Sequence, residues 1–409
     1  MSEKRQKNQT IPQKRLGTFS LTDFFVLGFG AVSMLSWFLS GYRETALFGY
    51  EDWHMGLVTQ ILLVCWYLAV RAFVGKGEGK LLMYSAGGAC FLVSLIAILN
   101  RCGLDPLGEY GGMAEWEWNR KNLLSTIGNS NWLCCYLAVS VPILIWFFWY
   151  TEGKWRIAAF VGALTGIAAI FLQGSEAGFA ALSAMFLVLL LISLRNMQKL
   201  IHFVDTLLII PLFWSFFSIF RIRLIMPNDL AIDQIFYSGW WVVLFLGLAM
   251  TDLLLRNLIK HGIDITENGK FAGIARIIIC FVLVAAAALV WMCQVSDSFW
   301  NSLGAPGILR FRKEWGSYRG ELWQITLQAF QRAWIVDKIF GAGPDCFAPY
   351  VYDRIGITIF VPGQWQDAIY ANAHNEWLTM LLNEGIAGLF FYAGIFVTAF
   401  VRVCRRMRT

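Results

Sequence analysis

The sequence predicts an all-α polytopic membrane protein of about ten transmembrane helices, with a large outer-face loop containing amphipathic helices. Three observations predict it. Of 409 residues, 58% are hydrophobic and only 15% charged, where soluble globular domains carry about 25% charged residues. Apolar stretches of about 18 to 25 residues recur along nearly the whole chain, each long enough to cross a hydrocarbon core of ~30 Å. The period-2 alternation of an outer-membrane barrel is absent, so helices are left to satisfy the backbone polar groups in lipid. A secreted enzyme, a soluble nucleotide-binding enzyme and a nucleic-acid-binding module are excluded. The lipid bilayer is the first partner, and no nucleic acid is expected.

Residues 1–18 form a basic, polar tail with no small-residue cleavage site after the first apolar run, and it reads as cytoplasmic. Nine spans follow within 19–294, near 19–40, 55–74, 81–99, 131–150, 155–173, 177–194, 200–219, 234–255 and 272–294. A long outer loop covers 295–373. The last helix, 374–401, supplies the tenth span near 376–401, and 402–409 is a second basic tail. With both termini inside, the short cytoplasmic turns hold Lys76, Lys80, Lys154, Arg156, Arg195, Lys199, Arg256, Lys260 and Lys270, while the opposite loops mix signs. This obeys the positive-inside rule, so much of the net charge of +6 is a topology signal. Among the nine cysteines no CxxC or Cys/His spacing marks a metal site, and Cys65, Cys90, Cys134, Cys135 and Cys280 sit in apolar runs as small hydrophobes.

The outer loop is too long to be structureless in a compact protein. Trp323, Leu327, Phe330 and Trp334 recur at i, i+4, i+7 and i+11, which predicts an amphipathic helix ending at Gly341 as a left-handed cap. The stretch from Ile355 to Trp365 is apolar enough to lie at the membrane interface.

Chemistry concentrates on the outer side. One of the four histidines, His374, stands at the outer end of the last span in Ala373-His374-Asn375-Glu376. With Asn372 as the cap, His374 falls in the first turn, beside free N–H groups and the positive dipole end, where anions bind. Its imidazole is either neutral and able to accept a proton or charged and held by a phosphate. Helix capping by His374 and Asn375, with Gly385 and Gly388 packing on a neighbour, accounts for the same residues. Arg319 precedes the amphipathic helix, and Arg221 and Arg223 flank the outer mouth of the seventh span. Arginine keeps its charge and grips phosphate oxygens bidentately. Against that stand pairing of Arg319 with Glu314 or Glu321, and interfacial snorkelling of Arg221 and Arg223. Gly128, Asn129 and Asn131 open the fourth span, where capping explains most of them. The Gly341-Ala342-Gly343-Pro344 turn lacks the lysine and the strand context of a nucleotide loop.

Together these strings resemble the O-antigen ligase and O-antigen polymerase-like membrane protein family. The family signature is His, then Asn, Ser or Gln, nine residues, then Gly-x-x-Gly. His374-Asn375, the nine residues Glu376 to Glu384, and Gly385 to Gly388 match it. Arg319 before Trp323, the turn Gly341-x-Gly343-x-x-x-Phe347, and Gly128-Asn129-x-Asn131 are further likenesses, and the resemblance spans roughly residues 125 to 390. The chain departs from it in having room for one span after Gly388, and in Ser175-Glu176 where members often carry Ser-Arg. The resemblance implies a multi-pass glycosyltransferase of polysaccharide biosynthesis in the cell envelope, at the bacterial plasma (inner) membrane. The donor it implies is a saccharide on undecaprenyl diphosphate, and the acceptor is a glycan or glycolipid hydroxyl. His374 is then the general base and Arg319 the catalytic cation. Arg221, Arg223 and Asn375 bind the diphosphate. Gly128, Asn129, Asn131, Gly341, Gly343, Gly385 and Gly388 shape the motifs. No cofactor is implied, and the outer-face carboxylates Asp345, Asp353 and Glu376 show no metal-ligand spacing. The alternative is a transporter or flippase of a lipid-linked saccharide. It predicts mid-membrane charges and matching halves, whereas Asp252 and Arg276 lie near span ends and no halves match.

Overall fold

The computed structural model describes residues 19–51, 53–75, 78–109, 124–220, 224, 238–303, 309–358 and 369–406. In chain order its helices begin with α1 (Leu21–Leu39), α2 (Arg43–Phe48), α3 (Leu57–Phe73), α4 (Glu78–Arg101) and α5 (Ser130–Tyr150). They continue with α6 (Trp155–Leu172), α7 (Glu176–Ser193), α8 (Met197–Phe220), α9 (Trp240–Lys260) and α10 (Lys270–Val295). The remainder are α11 (Asp297–Ser302), α12 (Trp315–Arg332), α13 (Ile335–Phe340), α14 (Phe347–Ile355), α15 (Glu376–Asn383) and α16 (Gly385–Arg406). No strand occurs among the described residues. Eight of these helices are long and apolar enough to cross a membrane, namely α1, α4, α5, α6, α8, α9, α10 and α16. The other two expected spans, α3 and α7, are shorter apolar helices. The chain is thus a helical, multi-pass membrane protein. It divides into two compact units, 1–75 with 286–409, and 76–285.

In the first unit, α1 starts at a reciprocal cap: Asp23 N–H donates to Ser20 Oγ at 3.3 Å, and Ser20 N–H donates to Asp23 Oδ2 at 2.6 Å. Asp23 is fully buried and also receives Tyr67 Oη at 2.7 Å and Arg71 Nε at 2.9 Å from α3. A buried carboxylate is tolerable when paired and hydrogen-bonded in this way, and here it pins α1 to α3. At the other end of α1, Ser36 Oγ donates to the Asn383 carbonyl at 3.0 Å and Ser40 Oγ to the Ala342 carbonyl at 2.6 Å. Residues 341–343 lie alongside 382–383: Ala342 N–H reaches the Leu382 carbonyl and Gly343 N–H the Asn383 carbonyl, each at 3.0 Å. Around this crossing α12, α14 and α15 build a small core from Leu322, Ala329, Phe347, Val351, Ala373 and Leu382.

The second unit packs α4 to α8 around Leu133, Leu137, Val141, Ile145, Ile167 and Ile170. Arg101, fully buried at the end of α4, donates from Nε to the Leu172 carbonyl at 2.7 Å and from its guanidinium to the Gln173 carbonyl at 3.3 Å. It thereby satisfies C-terminal carbonyls that α6 leaves without intrahelical partners. Arg156, Arg256, Asp205 and Asp252, from α6, α8 and α9, form one ion-pair group with contacts of 2.6 to 3.1 Å. Two residues read as topology markers therefore also tie helices together.

Three features differ from the sequence reading. The last helix is not continuous. It breaks into α15 and α16 at Gly385, whose φ is +68°, because the Ile339 carbonyl and Gly341 nitrogen press where a Cβ would be. The amphipathic helix also breaks: Ala333 takes extended backbone (φ −64°, ψ 147°), and α13 follows separately. Its buried face is Leu322, Thr326, Ala329 and Ala333, one residue earlier than the large apolar set, while Leu327 and Trp334 are exposed. Small residues face the core there because α14 and α15 lie close. Finally, Gly341 ends α13 with φ +84° and ψ 178°, which is not a left-handed cap. The interfacial segment expected at Ile355 to Trp365 falls largely outside the described residues.

Gly341 and Gly356 both hold positive φ, but a Cβ at Gly341 would strike the Asn383 backbone, while at Gly356 it would meet open space. Gly356→Ala is expected to cost about 1–2 kcal/mol from backbone conformation alone. Gly341→Ala should cost at least twice that, read as the larger fall in melting temperature in detergent. Equal falls would show that 341–343 and 382–383 do not cross this closely.

Candidate functional site

The residues around His374 are set by a short series of local bonds. Asn375, not Asn372, is the N-cap of α15: its Oδ1 accepts Trp377 N–H at 3.1 Å and Leu378 N–H at 3.3 Å. Thr379 Oγ1 donates to the Asn375 carbonyl at 3.0 Å and accepts Ala373 N–H at 3.2 Å. Trp323 Nε1, from α12, donates to the Ala373 carbonyl at 3.1 Å. Ala373 is thus tied to α12 and α15 at once. His374 comes directly after, outside the helix, with its N–H on Asn372 Oδ1 at 2.9 Å and φ at +46°. A left-handed φ is uncommon for a residue with a Cβ, and strain of this kind clusters at functional sites. Because the Asn375 side chain already occupies two N–H groups of the first turn, α15 has less to offer an anion than the sequence suggested.

Tyr370 packs edge-on against the His374 ring, centroids 5.1 Å apart and planes at 90°. Arg319 is the charge that acts on both rings. It stands in an irregular first turn of α12, where Gly316 and Tyr318 have φ of +59° and +67°. Among the described residues Arg319 forms no ion pair, and its expected competitor Glu321 faces Lys313 at 3.9 Å instead. His374 is solvent-accessible yet sits low among its neighbours. Partial desolvation, then the positive Arg319, hold its imidazole below the ordinary histidine value. Of the two states left open by the sequence, these surroundings favour the neutral imidazole, which accepts a proton. Glu376 beside it is solvent-exposed, and partial desolvation of its carboxyl, then the Asp345 charge, shift it up.

Asp345 does not face the surface. It is 2% exposed, with φ +58°, and its Oδ2 accepts Tyr50 N–H at 2.8 Å and Met55 N–H at 2.9 Å, fastening the loop before α3 to the glycine turn. A cavity of about 290 Å³ is lined, among the described residues, by Tyr370 together with Tyr50, Phe347, Tyr352 and Ile369.

Of the sequence-predicted residues, His374 and Asn375 form the turn before α15, and the charge of Arg319 acts on the His374 ring. Gly341, Gly343 and Gly385 meet at the crossing beneath them, where Gly343 leaves room for Ser40, while Gly388 leaves room for the Glu384 side chain. Gly128, Asn129 and Asn131 belong to the other unit. Gly128 is left-handed (φ +77°), and Asn129 caps α5 by accepting Asn131 N–H at 2.9 Å and Trp132 N–H at 3.3 Å. Arg221 and Arg223 lie outside the described residues. Tyr370, Asp345 as a staple, and the buried Glu384 were not identified from sequence as site-forming groups. For Glu384 a signal existed, since it is an acid within an apolar run.

Comparison with family models, curated proteins and solved structures returned no match for this chain.

Replacing Arg319 by Gln removes the positive charge next to His374, so the imidazole pKa should rise. Nitrogen-15 NMR titration of labelled histidines, with His374→Gln for assignment, reads the shift. An unmoved His374 titration would mean that the two side chains do not share one field.

Proposed function

We propose that this chain is a metal-independent membrane glycosyltransferase, similar to O-antigen ligases, acting on lipid-linked saccharides. The donor is a saccharide on undecaprenyl diphosphate, and the acceptor is a hydroxyl of a glycan or glycolipid at the outer face of a bacterial plasma membrane, with both termini in the cytoplasm. The acceptor hydroxyl attacks the anomeric carbon, the bond to the diphosphate breaks, and the hydroxyl proton passes to His374. Arg319 balances the charge that develops on the leaving diphosphate. Asn375 orders the turn that presents His374, and the aromatic walls beside Tyr370 suit the apolar face of an acceptor sugar.

The observation that supports this reading is that the charge of Arg319, more than fifty positions away in sequence, acts on His374 and, after partial desolvation, biases the histidine toward its neutral form. A base needs the unprotonated imidazole, and transfer to an alcohol needs a base with a pKa not far from the working pH. The competing reading, a transporter, draws on one observation, the buried carboxyl of Glu384.

Purified protein reconstituted with undecaprenyl-diphosphate saccharide and a glycolipid acceptor tests the assignment. His374→Ala is expected to lower transfer by ~10²–10⁴-fold, the usual contribution of a general base. Arg319→Ala should abolish detectable transfer while the protein still folds, and a chelator should leave the wild type unaffected. Full activity in either variant removes the role assigned to that residue. Loss of activity with chelator would bring a metal ion into the reaction.

A further inference from the structure

Among the buried carboxyls of the first unit, Asp23 and Glu384 have opposite surroundings. Asp23 accepts from Ser20 N–H, Tyr67 Oη and Arg71 Nε. Glu384, fully buried where α15 meets α16, has no well-formed hydrogen bond to either carboxyl oxygen among the described residues, and the nearby Gln60 and Ser33 side chains offset only part of the cost of burying its charge. The side chains that face it are Gln60 from α3, Ser33 from α1 and Cys346 from the turn before α14, and no described Arg, Lys or His acts on its charge. The Ser33 hydroxyl is already spent on the Phe29 carbonyl at 3.0 Å. Gln60 Nε2 is directed to the Met55 carbonyl at 3.4 Å, which leaves Gln60 Oε1 buried and without a donor.

An ionised carboxylate with no donor and no cation is costly to bury, and such a group stays neutral instead. A protonated carboxyl has one hydrogen to donate, and the buried acceptor that lacks a donor on the facing helix is Gln60 Oε1. One proton therefore removes the buried charge and supplies the missing donor together.

We propose that Glu384 is a proton-binding site: the side chain carries a proton at neutral pH and donates it to Gln60 Oε1, and release of that proton is coupled to the joint between α15 and α16. Burial pushes the carboxyl up to about 8. The coupling follows from the neighbouring residue. The Asn383 carbonyl receives both Gly343 N–H and Ser36 Oγ at 3.0 Å. From this joint α15, about 12 Å long, leads to the Asn375 cap beside His374. Ionisation places an uncompensated charge at the joint and favours its opening to water. The proposal does not depend on the glycosyl-transfer reading.

Infrared spectroscopy and thermal melting of the full-length protein in nanodiscs, wild type against Glu384→Gln, test it. The wild type should show a protonated-carboxyl band at neutral pH that Glu384→Gln lacks. Because the folded value, about 8, stands above the ordinary 4.5, the folded state holds the extra proton between these two values. The stability tied to it is fully present below the lower value, falls as pH rises through the window, and levels off above it. The melting temperature of the wild type should therefore fall relative to Glu384→Gln across that window. A pH-independent difference, or no such band at neutral pH, overturns the proposal. So does stabilisation by sodium chloride or potassium chloride that Glu384→Gln loses, since the carboxylate would then hold a metal cation. If Glu384→Gln does not fold, Gln60→Leu leaves the acid in place but removes its acceptor. The band should then move to higher frequency, and an unmoved band is the contrary result.

Discussion

Two short backbone segments, 341–343 and 382–383, lie against each other at hydrogen-bond distance, and side chains are absent where they touch. Gly341 clears the Asn383 carbonyl, Gly385 clears Ile339, and Gly343 clears Ser40. This crossing fastens the end of α13 and the turn before α14 to the end of α1 and to the joint between α15 and α16. At Gly341 and Gly385 glycine is required because the facing atoms are backbone, which cannot move aside as a flexible side chain can, whereas Gly343 faces the side chains of Ser40 and Ala46. The motif glycines thus act by letting two pieces of chain share one space, while the chemistry-bearing residues stand just beyond.

A membrane interior penalises every unsatisfied polar group, and the two units answer that demand differently. In the second unit Arg101 closes the end of α6, and Asp205 is shared between Arg156 and Arg256. In the first, Asp23 is matched by donors from its own cap and from α3. Against this background Glu384 stands out, because both of its carboxyl oxygens lack a well-formed hydrogen bond among the described residues.

The placement of apolar helices was legible in the sequence because lipid imposes length and hydrophobicity directly, and eight of them are long enough to cross a membrane. All ten expected positions carry a helix, although α3 and α7 are short. The breaks were not legible. Nothing in the apolar pattern of 376–401 marks the interruption at Gly385, because it is imposed by Ile339 and Gly341 from a distant part of the chain. The amphipathic period of α12 was legible, but its register was not. Size won over hydrophobicity, and Thr326 and Ala329 face inward because the close neighbours leave no room for Leu327. At the candidate site, His374 and Asn375 were visible as a polar pair, yet which of Asn372 and Asn375 caps the helix depended on φ and ψ. Tyr370 carried no local signal, since only folding lays its ring against His374.

The short third helix has a consequence for the surrounding lipid. At 17 residues α3 is about 26 Å long, whereas a typical hydrocarbon core is ~30 Å thick. The 26 residues of α10 extend to about 39 Å, and residues 280–292 are exposed without interruption. One chain therefore asks the bilayer for two thicknesses. Hydrophobic mismatch of this size is met by thinning beside the short helix and by tilting of the long one. A bilayer crossed by both helices would hold its headgroups closer to the midplane beside α3 than beside α10.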